Sequence, residues 1–162
     1  MKPLAHVAVS LAAGAGLGWA LKSMTAALAC LTAGVLIDLD HIPDYFWNFR
    51  RRPDAGHFFH VFKHDVLDRV IVVLHSWELM LLLLLGVWWT GWRPLGLGLL
   101  CGALLHLSLD QLFNRHSPLA YSLIYRLRRG FAGRYFYGRR EYRERLRQSR
   151  RADHRSGTGV DI

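Results

Sequence analysis

Four long apolar runs, separated by short polar stretches, form the main pattern along this chain. They cover residues 4–21, 24–37, 70–92 and 94–113. A helix needs roughly 20 residues to cross the hydrocarbon core of a bilayer, so each run predicts a membrane-crossing helix. The second run is short for this purpose, and we expect it to tilt or to continue through Ser23 and Asp38.

A soluble all-α protein with buried helices is the alternative. Residues 79–89 and 95–105 contain no polar side chain. A helix that is apolar all round lies deep in protein or in lipid, and 162 residues are too few to surround four such helices. The pattern therefore predicts an all-α polytopic membrane bundle of about four transmembrane helices. A signal peptide at residues 4–21 is disfavoured, because the run is long and a second one follows it.

Basic residues indicate the orientation in the membrane. The chain has 21 Lys+Arg against 12 Asp+Glu, but the two connections expected on one side carry only Lys22 and Arg93. Positive residues collect on the cytoplasmic side. We therefore expect a protein of the bacterial inner membrane with both termini and the central loop in the cytoplasm. The basic residues of that loop are Arg50, Arg51, Arg52, Lys63 and Arg69.

Two segments outside the runs are rich in basic residues. Residues 42–69 also contain many aromatic rings, which predicts an amphipathic segment along the interface, with a plain connecting loop as the alternative. Residues 126–162 predict a cytoplasmic tail, helical or disordered, beyond a membrane-embedded domain of residues 1–125. Attraction to anionic phospholipid headgroups explains this charge more simply than nucleic-acid binding. We expect membrane lipids as partners and no nucleic acid.

Histidine and carboxylate side chains interrupt the runs near one end of each. If the helices alternate in direction, all of these side chains lie at one level, on the cytoplasmic side, whereas the outer ends contain no His, Asp or Glu. Ionisable groups at membrane depth usually mark a working site. The residues concerned are His6, Asp38, Asp40, His41, His75, Glu78, His106 and Asp110.

Spacing of these residues favours a metal site. Pairs three or four apart, such as His106 with Asp110, share one face of a helix. A mixture of imidazole and carboxylate ligands suits a divalent metal such as Zn, with Mn or Fe as alternatives. The predicted metal ligands are His6, Asp38, Asp40, His41, His75, His106 and Asp110, and the predicted catalytic proton acceptors are Asp40 and Glu78. We expect a surface face or marginal positions for His57, His60, His64, Asn114 and His116, and buried thiols at Cys30 and Cys101.

Three motifs carry a family resemblance. PLAH at residues 3–6, GVLIDLDH at residues 34–41 and GALLHLSLD at residues 102–110 resemble a family of bacterial inner-membrane, metal-dependent hydrolases, distantly similar to zinc-dependent phospholipase C. Members usually carry a His-Arg-Gly element before the third helix; this chain keeps His75-Ser76 there but lacks that element, which indicates a divergent branch. The resemblance implies a helical membrane protein with hydrolytic chemistry at a metal.

These expectations give two hypotheses for function. The first is a membrane-embedded metal-dependent hydrolase that acts on a lipid or a lipid-linked phosphate or ester at the cytoplasmic interface. The second is a non-enzymatic, metal-binding membrane scaffold. Catalysis needs an open coordination position on the metal, whereas a scaffold fills every position with protein. A transporter is disfavoured, because the outer halves of the runs offer no polar path.

Overall fold

The chain folds as a set of α-helices. The structure, a computed structural model, describes residues 3–49, 58, 67–114 and 116–156. Within these residues no β-strand forms, and β pairing is limited to two isolated bridges. The all-α prediction is therefore confirmed. Expectations that lie outside the described residues concern Arg50, Arg51, Arg52, His57, His60, Lys63 and His64.

Local sequence signals set the ends of several helices. Ser23 precedes the second helix, and its hydroxyl accepts a hydrogen bond from the backbone N–H of Ala26. Ser76 and Ser122 cap two later helices in the same way, as expected for serine at an N-cap. In chain order the helices are α1 (Pro3–Ala20), α2 (Met24–Leu36), a short 3-10 helix (Ile37–Asp40), α3 (His41–Phe49), α4 (Trp77–Trp89), α5 (Pro94–Phe113), α6 (Leu123–Arg128), α7 (Gly133–Phe136) and α8 (Arg139–Ser156).

Two helical stretches are long and apolar enough to cross a membrane. These are Met24–Asn48, which joins α2 to α3, and Pro94–Phe113. The other apolar helices, Ala5–Ala20 and Trp77–Trp89, are shorter. Residues 70–76, the first part of the third apolar run, are not helical, and the helix begins at Trp77, directly after His75-Ser76. The 13 residues of α4 rise only about 20 Å, less than the roughly 30 Å hydrocarbon core.

Small residues allow α2 to pack closely against α1 and α5. A Cβ added at Gly98 or Gly102 would overlap the carbonyl oxygens of Ala26 and Cys30 on α2. Glycines four apart on one helix face are a common means of close approach between membrane helices. This contact brings the last turns of α5 beside the carboxyl end of α2, where the candidate ligands lie.

Residues 116–137 pack onto the same end of the bundle. Tyr121, Phe136 and Tyr137 share a buried cluster with Leu67 and Leu107. The first part of the predicted tail is therefore integrated into the body, because its aromatic side chains fill the core around residues 67–76. The exposed arginines of the predicted tail continue along α8.

Apolar side chains cover much of the outer surface of the helices. Leu81, Leu82 and Leu85 on α4 are all exposed. Tryptophans stand at the ends of these helices: Trp19, Trp88, Trp89 and Trp92 are exposed at the end away from the candidate ligands, and Trp47 and Trp77 at the near end. Tryptophan at both levels is typical of the two interfaces of a bilayer.

Candidate metal centre

The candidate ligands converge at one end of the helical bundle from four separate stretches of chain. His6 lies near the start of α1, and Asp38 and His41 lie at the junction of the 3-10 helix with α3. His75 precedes the N-cap of α4, whereas His106 and Asp110 occupy the last two turns of α5. The structure therefore places side chains from distant parts of the sequence at a single site.

Three of these residues form what we call the His6 group: His6, His106 and Asp110. All three are buried, and their ligand atoms lie within 4.8 Å of one another. His6 Nε2 is 3.1 Å from Asp110 Oδ1, and His106 Nε2 is 3.6 Å from Asp110 Oδ2. The two imidazole rings are stacked with their centroids 4.1 Å apart. This group could hold a metal ion.

A second set, the His41 group, consists of Asp38, His41 and His75. Its ligand atoms also lie within 4.8 Å of one another. Asp38 Oδ1 is 3.4 Å from His75 Nε2 and 3.8 Å from His41 Nε2. The ring centroids of His41 and His75 are 4.8 Å apart. This group could hold a metal ion as well.

The two groups are in direct contact. Asp38 Oδ1 lies 3.3 Å from His106 Nε2, and Asp110 Oδ2 lies 3.7 Å from His75 Nε2. Each carboxylate therefore reaches imidazoles of both groups. The six side chains make one continuous site.

Hydrogen bonds on the far sides of two imidazoles fix their orientation. His106 Nδ1 donates to the carbonyl oxygen of Gly34 at 2.8 Å, and His75 Nδ1 donates to Asp40 Oδ1 at 2.9 Å. The Nε2 atoms of both rings are buried and form no hydrogen bond. An imidazole held at Nδ1 by an oxygen acceptor, with Nε2 aimed at carboxylates, is the usual arrangement of a metal-ligating histidine. The residues present therefore fit a metal ion.

Ion pairs between histidine and aspartate explain the distances at the Nε2 atoms less well than ligation of a metal ion does. Charge-assisted hydrogen bonds between nitrogen and carboxylate oxygen are usually 2.7 to 2.9 Å long. The distances from His75 Nε2 and His106 Nε2 to Asp38 and Asp110 are 3.3 to 3.7 Å. Neighbouring ligand atoms around tetrahedral zinc, with bonds near 2.0–2.1 Å, are about 3.3 Å apart. The spacing is thus closer to that of ligands around an ion.

Asp40 lies behind His75. Its Oδ1 accepts from His75 Nδ1, and its Oδ2 accepts from the backbone N–H of Leu74 at 2.8 Å. Both oxygens are therefore engaged in orienting the imidazole and the chain that carries it. The sequence placed Asp40 among the ligands and the proton acceptors, and the structure gives it contacts that suit a positioning residue.

Glu78, the other predicted proton acceptor, lies at the amino end of α6. Its carboxylate accepts hydrogen bonds from the Ser122 hydroxyl at 2.6 Å and from the backbone N–H groups of Leu123 and Ile124 at 2.8 and 3.1 Å. A carboxylate at that position satisfies N–H groups that have no partner within the helix. Glu78 therefore holds α6 in place.

Access to the site is uneven. The side chain of Asp38 is 41% exposed and that of His41 is 25% exposed, whereas His6, His75, His106 and Asp110 are buried. Leu39, Ile42 and Phe46 are exposed close to this edge in the sequence. The centre is thus reachable from outside at Asp38 and His41, beside exposed apolar side chains.

Three polar side chains on the 3-10 helix and α3 bind the backbone of the segment that contains His75. Asp40, Asp44 and Asn48 are spaced four apart and accept from the backbone N–H groups of Leu74, Ile71 and Arg69. Sequence reasoning had no role for Asp44 or Asn48. The spacing of four was the available signal, because it places three acceptors on one helix face.

Arg126 holds the carbonyl side of the same segment. Its guanidinium is buried and donates to the carbonyl oxygens of Ile71, Val72 and His75. Burial lowers the pKa of Arg126, which the carboxylates of Asp40 and Asp44 oppose, and an arginine remains charged in proteins. Nothing in the sequence distinguishes Arg126 from the other arginines of the basic tail, so this role could not be predicted.

The two marginal residues lie next to the site. His116 Nδ1 is 3.0 Å from Glu141 Oε2 on α8, and its ring packs against Phe136. Asn114 donates to the Tyr121 hydroxyl at 3.2 Å. Burial raises the pKa of Tyr121 far above its usual range, so this hydroxyl stays protonated. These contacts join α8 and the end of α5 to the core beneath the site.

Comparison of the chain with models of protein families, with curated proteins and with solved structures found no match. The functional argument therefore rests on the geometry of the two groups and on the surface around them.

Proposed function

We propose that this protein is a membrane-embedded, metal-dependent hydrolase that acts on a lipid or lipid-linked phosphate or ester at the cytoplasmic interface. The observation that carries the proposal is the pair of buried imidazoles of His75 and His106. Each is held at Nδ1 by an oxygen acceptor, and each directs an Nε2 without a hydrogen bond toward shared carboxylates. The three motifs that resemble a family of inner-membrane hydrolases support the same class of chemistry.

A divalent ion bound by these residues would polarise a phosphoryl or carbonyl oxygen and lower the pKa of a water molecule toward neutrality. The residues that would supply the ligand atoms are His6, His41, His75, His106, Asp38 and Asp110. Asp40 orients His75. Asp38 lies at the exposed edge, so it is the ligand that an entering substrate would meet first.

The surroundings of the exposed edge favour an amphiphilic substrate. Leu39, Ile42 and Phe46 follow the spacing of one helix face and are all exposed. They would contact acyl chains while the phosphate or ester reaches Asp38 and His41. Further apolar surface on α4 and tryptophans at both ends of the helices agree with a position in the bilayer.

The distribution of arginines supports a cytoplasmic location for this edge. Arg128, Arg129 and Arg134 are exposed on elements that pack against residues 67–76, at the end of the molecule that bears the site. Lys22 and Arg93 lie at the other end. Positive residues collect on the cytoplasmic side, and anionic headgroups would be attracted to the same surface.

One observation favours the scaffold alternative. The N···O distances that join His75 and His106 to Asp38 and Asp110 are similar to one another, between 3.3 and 3.7 Å. Four protein ligands at such spacing would enclose a single tetrahedral ion and leave no open position. The exposed edge and the two further histidines, His6 and His41, favour the hydrolase.

The test is an assay of the full chain, purified in detergent and returned to nanodiscs. The protein, loaded in turn with Zn²⁺, Mn²⁺ or Fe²⁺, is mixed with vesicles that contain phosphatidic acid, phosphatidylglycerol or phosphatidylethanolamine, and the released phosphate, headgroup and fatty acid are measured. We expect hydrolysis that a chelator abolishes and metal restores. Asp110→Asn should lower the rate by more than about 100-fold, since loss of an orienting partner alone costs 10- to 100-fold.

His116→Gln is the matched control, because this histidine also pairs with a carboxylate but lies outside both groups. It should leave the rate unchanged. Comparison of the lipids of membranes with and without the protein extends the search for a substrate. If the fully metal-loaded protein cleaves no lipid in either experiment, the hydrolase proposal is wrong and the scaffold remains.

A further inference from the structure

The site contains more ligands than one ion can use. Six side chains, three in each group, present an imidazole nitrogen or a carboxylate oxygen, whereas zinc in proteins is almost always four-coordinate. Their imidazoles follow one another in a row. The ring centroids are 4.1 Å apart from His6 to His106, 5.2 Å from His106 to His75 and 4.8 Å from His75 to His41.

Each group also contains a buried imidazole nitrogen without a hydrogen bond, which is a separate indication of a bound ion. His106 in the His6 group and His75 in the His41 group are both buried almost completely, and the Nε2 atom of each forms no hydrogen bond. Leaving a buried polar atom unsatisfied has a free-energy cost of about 1–3 kcal/mol. One such atom lies in each group, so each group has a position at which a metal ion would remove this cost.

We propose that the centre binds two divalent metal ions, one in the His6 group and one in the His41 group, with Asp38 and Asp110 shared between them. This inference rests on the proposed function and specifies its metal centre. It also separates the two hypotheses. With both carboxylates shared, each ion would have two imidazoles and two carboxylate oxygens, and an ion that expands to five-coordination keeps a position for water or substrate, whereas a single ion that stays enclosed by four ligands is suited to a scaffold.

The contacts of Asp38 and Asp110 support the proposal that the two ions share these carboxylates. Asp110 places Oδ1 at 3.1 Å from His6 Nε2, while its Oδ2 is 3.7 Å from His75 Nε2 in the other group. Asp38 Oδ1 lies 3.4 Å from His75 Nε2 and 3.3 Å from His106 Nε2. Carboxylates that reach both groups can join two ions at the separation of about 3.5–4 Å found in two-metal sites.

A pair of divalent ions at this site would favour one class of substrate. Paired divalent ions stabilise both the attacking and the leaving oxygen in displacement at phosphorus. Among the lipid-linked phosphates and esters of the proposed function, the two-ion centre therefore favours phosphate esters. The expected product is a lipid or headgroup released by cleavage of a P–O bond, with the attacking water supplying the new oxygen on phosphorus.

Metal counting on the full chain tests the second ion without using activity. The protein in detergent is stripped with chelator, loaded with Mn²⁺ or Zn²⁺ and desalted, and metal per chain is measured by mass spectrometry. We expect about two ions per chain, and about one in either His6→Gln or His41→Gln. His116→Gln should retain two. With Mn²⁺, the electron paramagnetic resonance spectrum should show an exchange-coupled pair in the wild type and an isolated ion in each single-ligand variant.

His41 is partly exposed, so His41→Gln should fold even if the variant of the buried His6 does not. The spectrum of the Mn²⁺-loaded wild type tests for a coupled pair without any variant. One ion per chain, with the spectrum of an isolated ion and with hydrolysis intact, overturns the second ion and leaves the hydrolase. Two coupled ions without hydrolysis of any lipid support the metal pair and overturn the function. Hydrolysis of carboxylic esters but not of phosphate esters overturns the inferred substrate class.

Discussion

Asp38 and Asp40 are two residues apart, yet their carboxylates have different surroundings. Asp38 is partly exposed and contacts imidazole nitrogens that have no hydrogen bond, so it can bind an ion. Asp40 accepts hydrogen bonds at both oxygens, from His75 Nδ1 and from the N–H of Leu74, and these contacts suit an orienting role. The spacing of these two aspartates in the sequence could not distinguish the two roles, because the 3-10 turn changes the direction of each side chain.

Asp40→Asn tests the positioning role. The amide retains one acceptor but loses the charge that favours the Nδ1–H form of His75, so metal affinity should fall about 10- to 100-fold. Affinity is measured by competition with a chromogenic chelator. Glu141→Gln is the matched control, since Glu141 pairs at 3.0 Å with His116 outside the two groups. Equal effects of both substitutions on affinity would contradict a specific role for Asp40.

Helices α1, α2 and α5 could be predicted from the sequence because their apolar runs are continuous and because Ser23 and Pro94 mark the starts of α2 and α5. Residues 70–76 could not, because an apolar run alone does not distinguish a helix from a buried extended segment. This segment is fixed by Asp40, Asp44 and Arg126, which bind its backbone groups. Val72, in this segment, has a φ of 26°, a strained value for a β-branched residue that surrounding contacts must maintain.

Close packing of α2 on α5 gives a prediction about the site. In Gly102→Ala the added Cβ would overlap the Cys30 carbonyl, so α5 must move away from α2 and His106 must draw back from Gly34. We expect a loss of about 1–3 kcal/mol in unfolding free energy and weaker metal binding, measured by thermal unfolding in detergent and by metal titration. Gly16→Ala is the control, because nothing lies within 4 Å of a Cβ there. A neutral Gly102→Ala would show that the helices are further apart.

A substitution of Glu78 can distinguish a capping role from a catalytic one. Glu78→Ala removes the acceptor for two backbone N–H groups at the start of α6, which should cost about 0.5–2 kcal/mol of stability. Metal content should stay at the wild-type value, and hydrolysis per folded molecule should be unchanged. Thermal unfolding, metal analysis and the lipid assay give the three readouts. A large loss of hydrolysis at wild-type stability would instead restore Glu78 as a proton acceptor.

At the scale of the whole molecule, the sequence indicated which residues meet, because alternating helices bring their polar ends to one level. It could not show that residues 116–137 pack beneath that level, since their aromatic side chains have no helical periodicity. Phe136 and Tyr137 join the core, and α8 leaves from there with Arg139, Arg143 and Arg147 exposed. The exposed arginines and the candidate metal centre therefore share one end of the molecule, which is the basis for the predicted orientation.

Orientation can be tested with two single-cysteine positions at opposite ends. Lys22 lies in the turn between α1 and α2, and Arg147 is exposed on α8. With Cys30 and Cys101 replaced by serine, a membrane-impermeant thiol reagent added to intact cells should label Lys22→Cys and should label Arg147→Cys only after the membrane is opened. Four crossings require this pattern, because they leave both termini in the cytoplasm and the Lys22 turn outside. Labelling of both positions in intact cells, or release of the protein by alkaline carbonate, would contradict the bundle that spans the membrane. Labelling of Arg147→Cys alone would place the metal centre on the outer face, where the lipid substrate would have to be sought instead.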